Sequence, residues 1–286
     1  MSAREQAVRS TVVQARRLAV RTAGLGLAVP VVLLAGWEAA AHGGLVDALL
    51  FPPPSRIVER LVAMVADGEL GGHVVATLQR LLPGYALGAV VGVVVGLAMG
   101  FFRIVAAALG PLFAALYCLP KTATLPLLML VFGLTETPKV LSVAIAVFFV
   151  LQINTLAGVR QIDPRVWETA RSYGASGPRL LRCVVLPGAA PTVFTGLRTA
   201  VGLGIVVVVA VEFVASERGL GFLVWNSWTL FQPDRMYVGL VSVALLGAVL
   251  AAVLALAERW LLPWRTARVS LRPPWRVLLR SRSATS

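Results

Sequence analysis

The sequence predicts an all-α membrane protein with about six transmembrane helices. Hydrophobic residues make up 58% of the chain and charged residues 14%, and the mean hydropathy is +0.84, whereas soluble domains have roughly 45–50% apolar and roughly 25% charged residues. Several apolar runs reach the roughly 20 residues that a helix needs to cross a bilayer. Barrel-type alternation is absent, and lipid offers no hydrogen-bond partner to the backbone, so these runs are expected to be helical.

The six predicted spans are residues 24–41, 81–100, 104–132, 140–157, 193–214 and 237–257. The first run follows a basic segment, as a signal peptide would, but it is longer than a signal-peptide core and five more runs follow it, so we expect it to be retained. The third run contains Pro120, Lys121 and Pro126. It is therefore either one kinked helix or a helix followed by a re-entrant segment.

The second span has a glycine at every fourth position: Gly84, Gly88, Gly92, Gly96 and Gly100. A four-residue step keeps these positions on one stripe of a helix, and the missing side chains allow a neighbouring helix to approach closely. We expect this stripe to be a helix-packing surface. The alternative is that glycine is simply common in membrane helices.

The basic residues predict how the helices are oriented. With six spans, 18 of the 26 Lys and Arg residues fall in segments on one side of the membrane and five fall on the other. Cytoplasmic loops carry the excess of Lys and Arg, so both termini and residues 158–190 are predicted to be cytoplasmic. The net charge of +13 therefore indicates topology, and without clustered aromatic residues it does not favour nucleic-acid binding. The expected organisation is a basic tail at 1–23, a six-helix domain at 24–264 and a second basic tail at 265–286.

The sequence offers no site for catalysis. Its only lysines, Lys121 and Lys139, do not follow a glycine, so it contains no G-x-x-x-x-G-K-[ST] phosphate-binding loop. Its only histidines, His42 and His73, have no partner at metal-ligand or catalytic-triad spacing. We therefore expect no enzymatic activity, no metal and no cofactor bound by this chain.

Residues 158–190 carry their own helix signals. Asp163 is a suitable N-cap, Pro164 stands at the first helical position, and Gly174 is suited to end the helix. A second short helix is expected to open at Ser176 and to end before Pro187. Two short helices with a glycine between them predict a compact protrusion.

The protrusion carries a recognisable signature at Glu168, Ala170, Gly174, Leu186 and Pro187. These residues match the EAA-type signature of binding-protein-dependent ABC importer permeases: E-A-A, three residues, G, nine residues, I-x-L-P. Thr169 and Val184 depart from it, each by a substitution of similar size. By this resemblance the chain is identified as a member of that family.

Residues 52–264 resemble the nitrate, sulfonate and taurine branch of these permeases. The similarity consists of short motifs in the family's order: Thr77-Leu78-Gln79-Arg80, Leu119-Pro120-Lys121, Leu125-Pro126-Leu127-Leu128, Phe132-Gly133, Thr195-Gly196-Leu197-Arg198, Glu212 and Gly219-Leu220-Gly221.

The resemblance implies a type I ABC importer permease of MetI-like architecture in the bacterial plasma (inner) membrane. Its implied partners are a second permease subunit (a second copy or a related chain), two cytoplasmic ABC ATPase subunits that use the ATP, and an extracytoplasmic substrate-binding protein. The residues assigned to ATPase coupling are Glu168, Thr169, Ala170, Arg171, Tyr173, Gly174, Ala175, Ser176, Leu186 and Pro187.

The candidate residues of the substrate path are Lys121, Gln152, Asn154, Arg198 and Glu212. A charge at the centre of a bilayer costs at least about 2.5 kcal/mol, so the charged members are expected to face an aqueous passage, a partner or each other. The two cations suit an oxyanion such as a sulfonate, nitrate or carboxylate.

Two other readings stay open. Within the same architecture, the solute is alternatively a pyrimidine vitamin precursor or a flavin. In another class, the chain is an ion-coupled secondary carrier, for which Glu212 alone makes a sparse ion relay.

The predicted external segment at residues 43–76 is a candidate docking face for a binding protein. Within it, Ser55 is expected to cap a short amphipathic helix at 56–65, for which a position in the membrane interface is the simpler role.

Overall fold

The computed structural model of the protein describes residues 28–262, and that part of the chain contains helices and no strands. The elements are α1 (Ala28–His42), α2 (Pro54–Ala66), α3 (Glu69–Phe101), α4 (Arg103–Tyr117), a 3-10 turn (Lys121–Thr124), α5 (Leu125–Phe132), α6 (Thr137–Arg160), α7 (Pro164–Ser172), α8 (Gly177–Leu180), a π-helical segment (Leu181–Val185), α9 (Leu186–Ala215), α10 (Leu220–Thr229) and α11 (Pro233–Leu261). The predicted span 24–41 lies partly outside the described residues, and the tails at 1–23 and 265–286 lie wholly outside them.

Within residues 28–262, four helices are long and apolar enough to cross a membrane: α3, α6, α11 and the continuous helix Gly177–Ala215 that contains α8 and α9. α4 and the stretch Lys121–Phe132 pass the same test together, but they meet at 96°. The prediction of an all-α protein with several membrane helices is confirmed. At the third predicted span, the alternative of a single kinked helix is wrong, because the chain breaks just before Pro120, whose nitrogen carries no hydrogen-bond donor.

α3 begins at Glu69, twelve residues before the predicted start at 81, so residues 69–76 belong to a helix and not to a loop. The polar residues before Arg80 interrupt the apolar run without interrupting the helix. Pro83 lies inside α3, where a proline is expected to bend a helix. The length of the apolar run therefore predicts a helix shorter than α3.

The second predicted helix of the protrusion does not end before Pro187. α8 passes through the π-helical segment directly into α9, and Pro187 lies in the first turn of α9. The first turn of a helix tolerates proline because its N–H has no partner within the helix. We refer to residues 161–185, which link α6 to α9, as the connector.

Two further elements differ from the predictions. The short helix at 56–65 is confirmed as α2, but Ser55 is not its cap: the N-cap is Pro53, and the Ser55 hydroxyl donates a hydrogen bond to Glu38 Oε1 at 2.6 Å. α10 was not predicted, because ten residues are too few for a span.

The described residues form two compact units, residues 28–71 with 223–240 and residues 72–222 with 241–262. In the first unit, the rings of Trp37 and Tyr237 lie 5.4 Å apart and Arg56 lies 2.8 Å from Asp234. The second unit contains a large apolar core, built mainly from α6 and α9. Its fully or nearly buried members are Leu81, Leu125, Val143, Ala146, Val147, Leu151, Ala200, Val201, Ile205, Val207, Val208 and Val211.

The glycine stripe of α3 faces α6. A Cβ atom added to any of its five glycines would lie between 2.3 and 2.7 Å from the nearest atom of α6. The α6 residues that these positions meet are Val140, Val143, Ala144, Val147, Phe148, Leu151, Gln152, Thr155 and Val159. The two backbones approach closely along the whole stripe because no side chain stands between them.

Candidate functional site

The connector begins with a well-capped helix. The Asp163 carboxylate accepts a hydrogen bond from the Arg165 N–H at 2.9 Å, and Pro164 fills the first position of α7. α7 ends at Ser172, and Gly174, just after the C-cap Tyr173, has a φ of +78° in the left-handed region. The Ala175 N–H then donates to the Ala170 carbonyl at 3.0 Å, which closes the helix as in a Schellman motif.

One face of the connector packs against the neighbouring helices of the second unit. The Trp167 ring lies 6.2 Å from the Phe101 ring at the end of α3, and Trp167 packs against a small core of Val159, Val185 and Ala189. Arg171 lies over the Trp167 ring at 6.0 Å. The connector is therefore held by apolar contacts to the ends of α3, α6 and α9.

The other face of the connector is exposed. Tyr173 is 86% exposed, although a tyrosine ring normally finds apolar cover, and Glu168, Thr169 and Arg171 are also exposed. Gly174 and Ser176 continue this surface, with Ala170 and Ala175 half-buried behind it, and Leu186 and Pro187 are exposed at the start of α9. Most of the residues predicted for coupling are therefore exposed, on α7, in the turn after it and at the start of α9.

A polar cluster lies at the opposite end of α6 and α9. It consists of Thr77, Arg80, Glu136, Lys139 and Glu212. Glu212 is fully buried, and its carboxylate accepts hydrogen bonds from Thr77 Oγ1 at 3.0 and 3.1 Å and from Arg80 Nη1 at 2.8 Å.

Arg80 joins Glu212 to Glu136. Its Nε and Nη2 donate to the two Glu136 oxygens at 2.5 and 3.1 Å, and Lys139 Nζ donates to Glu136 at 2.8 Å. The Arg80 guanidinium and the Lys139 ammonium lower the pKa of Glu136, which stands just before α6, to about 2. Two cations and two carboxylates make the cluster neutral, which limits the cost of its burial.

Sequence reasoning proposed Glu212 and missed its partners. Arg80 and Thr77 enter the sequence prediction only as part of a family motif, and Glu136 does not enter it. A signal was available, because a carboxylate inside an apolar helix requires a partner and Arg80 stands at the edge of a predicted span.

Lys121 is engaged at the break in the third predicted span. Its Nζ donates to the carbonyls of Leu116, Tyr117 and Leu119 at 3.2, 2.6 and 2.8 Å, and it lies 4.5 Å from the centre of the Phe149 ring. The ammonium group is thus directed at the last two carbonyls of α4, where a cation is favourable, and at the Leu119 carbonyl just beyond that helix. Lys121 also borders an apolar cavity of about 530 Å³ between α3, α4, α5 and α6.

The other predicted path residues each have a different contact partner. Arg198 of α9 pairs with Glu258 of α11 at 2.5 Å and is half exposed. Gln152 is buried with its Nε2 3.1 Å from Met99 Sδ, and Asn154 Nδ2 donates to the Val150 carbonyl at 2.8 Å. The charged candidates therefore pair with other groups and not with each other.

The comparisons with known proteins show the family of the chain. The family of binding-protein-dependent transport system inner membrane components matches residues 88–266, which is more than half of the chain. The chain belongs to this family. The permease is 33% identical over 249 residues to the taurine transport system permease protein TauC of Escherichia coli (strain K12), covering 85% of the permease and 90% of TauC.

Two further relatives have names that point to different solutes. SsuC of Bacillus subtilis (strain 168), named as an aliphatic sulfonates transport permease, is 32% identical over 240 residues, covering 84% of the permease and 87% of SsuC. The riboflavin transport system permease protein RibX of Chloroflexus aurantiacus is 34% identical over 241 residues, covering 84% of the permease and 90% of RibX. The permease is thus a multi-pass membrane subunit of a transport system, and its similarity to these relatives does not distinguish between their solutes.

Proposed function

We propose that the permease forms the translocation pathway of an ATP-driven importer and that its connector receives the movement of a separate ATPase subunit. An exposed surface on a rigidly anchored protrusion carries this proposal: Tyr173 is 86% exposed while Trp167, six residues away, packs against Phe101. Family membership supports the same role. The permease itself binds no ATP under this proposal.

The arrangement of helices explains how such a push would be used. α6 ends where the connector begins and α9 starts where it ends, and the two helices pack against each other. A displacement of the connector would tilt both helices together, because a packed core resists continuous deformation.

The proposed partners and orientation follow the predicted topology. Two ATPase subunits bind the connector from the cytoplasm, both termini lie on that side, and an extracytoplasmic protein delivers the solute. A second permease subunit, either another copy or a related chain, completes the pathway in the plasma membrane. The excess of Lys and Arg on the connector side supports this orientation.

For the solute, we propose a small sulfonate, taurine-like or nitrate-like anion. The names of TauC and SsuC favour it. The RibX relative favours a flavin as the second candidate, with a pyrimidine vitamin precursor in the same group. Uptake of radiolabelled taurine and of riboflavin by the same reconstituted transporter, each with its candidate binding protein, decides between them.

Gly174 provides the test of the connector. In proteoliposomes containing the permease, its ATPase and its binding protein, Gly174→Val should assemble normally and lose ATP-dependent uptake, because a β-branched residue is strained at a φ of +78°. Gly174→Asn is the matched control, since asparagine tolerates this region of backbone space. Wild-type uptake by Gly174→Val would contradict the coupling role, and uptake driven by an ion gradient without the ATPase would favour a secondary carrier.

A further inference from the structure

We infer that the polar cluster is a clamp that makes α3, α6, α9 and the turn after α9 move as one body when the connector is displaced. This inference rests on the proposed function. On this inference Arg80, Glu212 and Thr77 are positioning residues for transport, which act through the packing of the helices and not by touching the ATPase or the solute.

The polar cluster lies far from the connector along the same helices. Glu212 lies 26 residues along α9 from Leu186, which is about 39 Å at about 1.5 Å per residue. Glu136 is the N-cap of α6, at the end opposite the connector. The cluster and the connector therefore occupy the two ends of the same pair of helices.

The Arg80 side chain joins several elements of the fold. The Arg80 guanidinium, on α3, donates to Glu136 before α6, to Glu212 on α9 and to the Arg218 carbonyl in the following turn at 2.6 Å. Lysine carries its donors on a single nitrogen and lacks the planar fork with which the guanidinium reaches acceptors on different elements. Arg80 is 6% exposed and Glu212 is fully buried, so water does not compete for the bond between these two side chains.

The Glu212 carboxylate is covered by the turn into α10, which comprises Gly219 and the first two residues of that helix, Leu220 and Gly221. The Gly221 N–H donates to Glu212 Oε2 at 2.8 Å, and the Leu220 N–H donates to Thr77 Oγ1 at 2.8 Å. Gly219 has a φ of +129°, and a Cβ atom there would lie 2.4 Å from the Glu212 carboxyl carbon. The turn is therefore fastened to both α3 and α9.

These contacts predict what the clamp does. A movement that begins at the connector travels along α9, and without the clamp the far end of α9 could slide against α3 and release the turn. With the clamp intact, the far end moves only as part of the larger body. Loss of the clamp should therefore separate ATP hydrolysis from solute movement and should not abolish hydrolysis.

The experiment uses the complete transporter of permease, ATPase and binding protein in proteoliposomes. Glu212→Gln removes the charge and keeps the shape. Per assembled complex, we expect basal ATP hydrolysis near the wild-type rate, whereas stimulation by the binding protein and solute imported per ATP should each fall about fivefold or more, the size of a typical coupling between sites. Glu217→Gln is the matched control, because Glu217 lies five residues away and is exposed.

Two milder variants keep the test decisive if Glu212→Gln fails to assemble. Arg80→Lys retains the charge without the planar donors, and Thr77→Val retains both charges but loses the hydroxyl. Each should lower the solute imported per ATP in the same direction. A purely structural role would instead lower basal and stimulated hydrolysis in equal proportion.

The clamp is refuted if the assembled variants import solute per ATP at the wild-type ratio, or if all activities decline in parallel. A wild-type transporter that shows no coupling between ATP hydrolysis and uptake would refute the proposed function itself. The two failures are therefore distinguishable in one set of measurements.

Discussion

Replacing Gly88 by alanine should push α3 away from α6, whereas the same replacement at Gly110 of α4 should not. A Cβ atom at Gly88 would lie 2.3 Å from the Ala144 carbonyl oxygen and 2.9 Å from Val147 Cβ. Ordinary contacts begin at 3.4 Å, so the first of these is too short by about 1.1 Å. Neither atom can rotate away, because both are fixed to the backbone of α6.

The expected magnitude is a balance of two terms. Overpacking of this kind typically costs about 1–3 kcal/mol, and a gap of about 0.5–1 Å at the neighbouring contacts forfeits roughly a quarter to a half of their dispersion energy. Alanine is favoured over glycine in a helix by about 1 kcal/mol, which opposes that cost. At Gly110 no atom lies within 4 Å of the added Cβ, so only the favourable term remains.

The assay is thermal unfolding of the purified permease in one fixed detergent, followed by tryptophan fluorescence. Both cysteines are exposed in the fold, so a dye that reports newly exposed thiols would not serve. At roughly 2–4 °C per kcal/mol for a chain of this size, the Gly88→Ala variant should unfold several degrees below the Gly110→Ala variant. Equal shifts in Tm for the two variants would refute the close approach of α3 and α6.

Three further predictions concern other parts of the permease. Lys121→Gln should lower Tm and increase proteolysis near the break after α4, because the C-terminal carbonyls of that helix lose their cation. Unchanged anion uptake in this variant would also remove the electrostatic case for an anionic solute. Tyr173→Cys, in a background without the native cysteines, should react with an impermeant thiol reagent in inverted vesicles and not in intact cells, and the reverse pattern would contradict the proposed orientation. The pKa of Glu136 is lowered from 4.5 to about 2. Its pair with Arg80 therefore stabilises the fold fully above about pH 4.5 and loses this contribution as the pH falls towards 2. Glu136→Gln should change the dependence of Tm on pH below about 4.5 and leave it unchanged between about pH 5 and 8.

The elements predicted best from sequence were those whose causes are local. Asp163, Pro164 and Gly174 begin and end α7 as their side-chain and backbone chemistry predicts. The long apolar helices are also predicted from the sequence, because each residue that faces lipid must itself be apolar. The predicted ends of two helices are wrong. α3 begins earlier, at Glu69, and includes polar residues, and α9 has Pro187 in its first turn and continues directly from the connector.

The sequence does not predict which charged residues pair, because the pairs join residues far apart in the chain. Arg80 and Glu212 are separated by 132 positions, and nothing in their spacing shows that they meet. The same is true of Arg198 and Glu258, which are 60 positions apart. Only the packing of α3, α9 and α11 decides which cation neutralises which carboxylate.

By itself, the sequence determined the class of the protein, the membrane helices, the glycine stripe and the signature of the connector, since composition, periodicity and spacing are properties of one chain read in order. The tertiary structure decided that the stripe faces α6, that the third predicted span is broken at 96° and that Glu212 is enclosed by Arg80, Thr77 and the Gly219–Gly221 turn. These outcomes depend on distances between segments remote in sequence, which close packing sets collectively and no local pattern encodes.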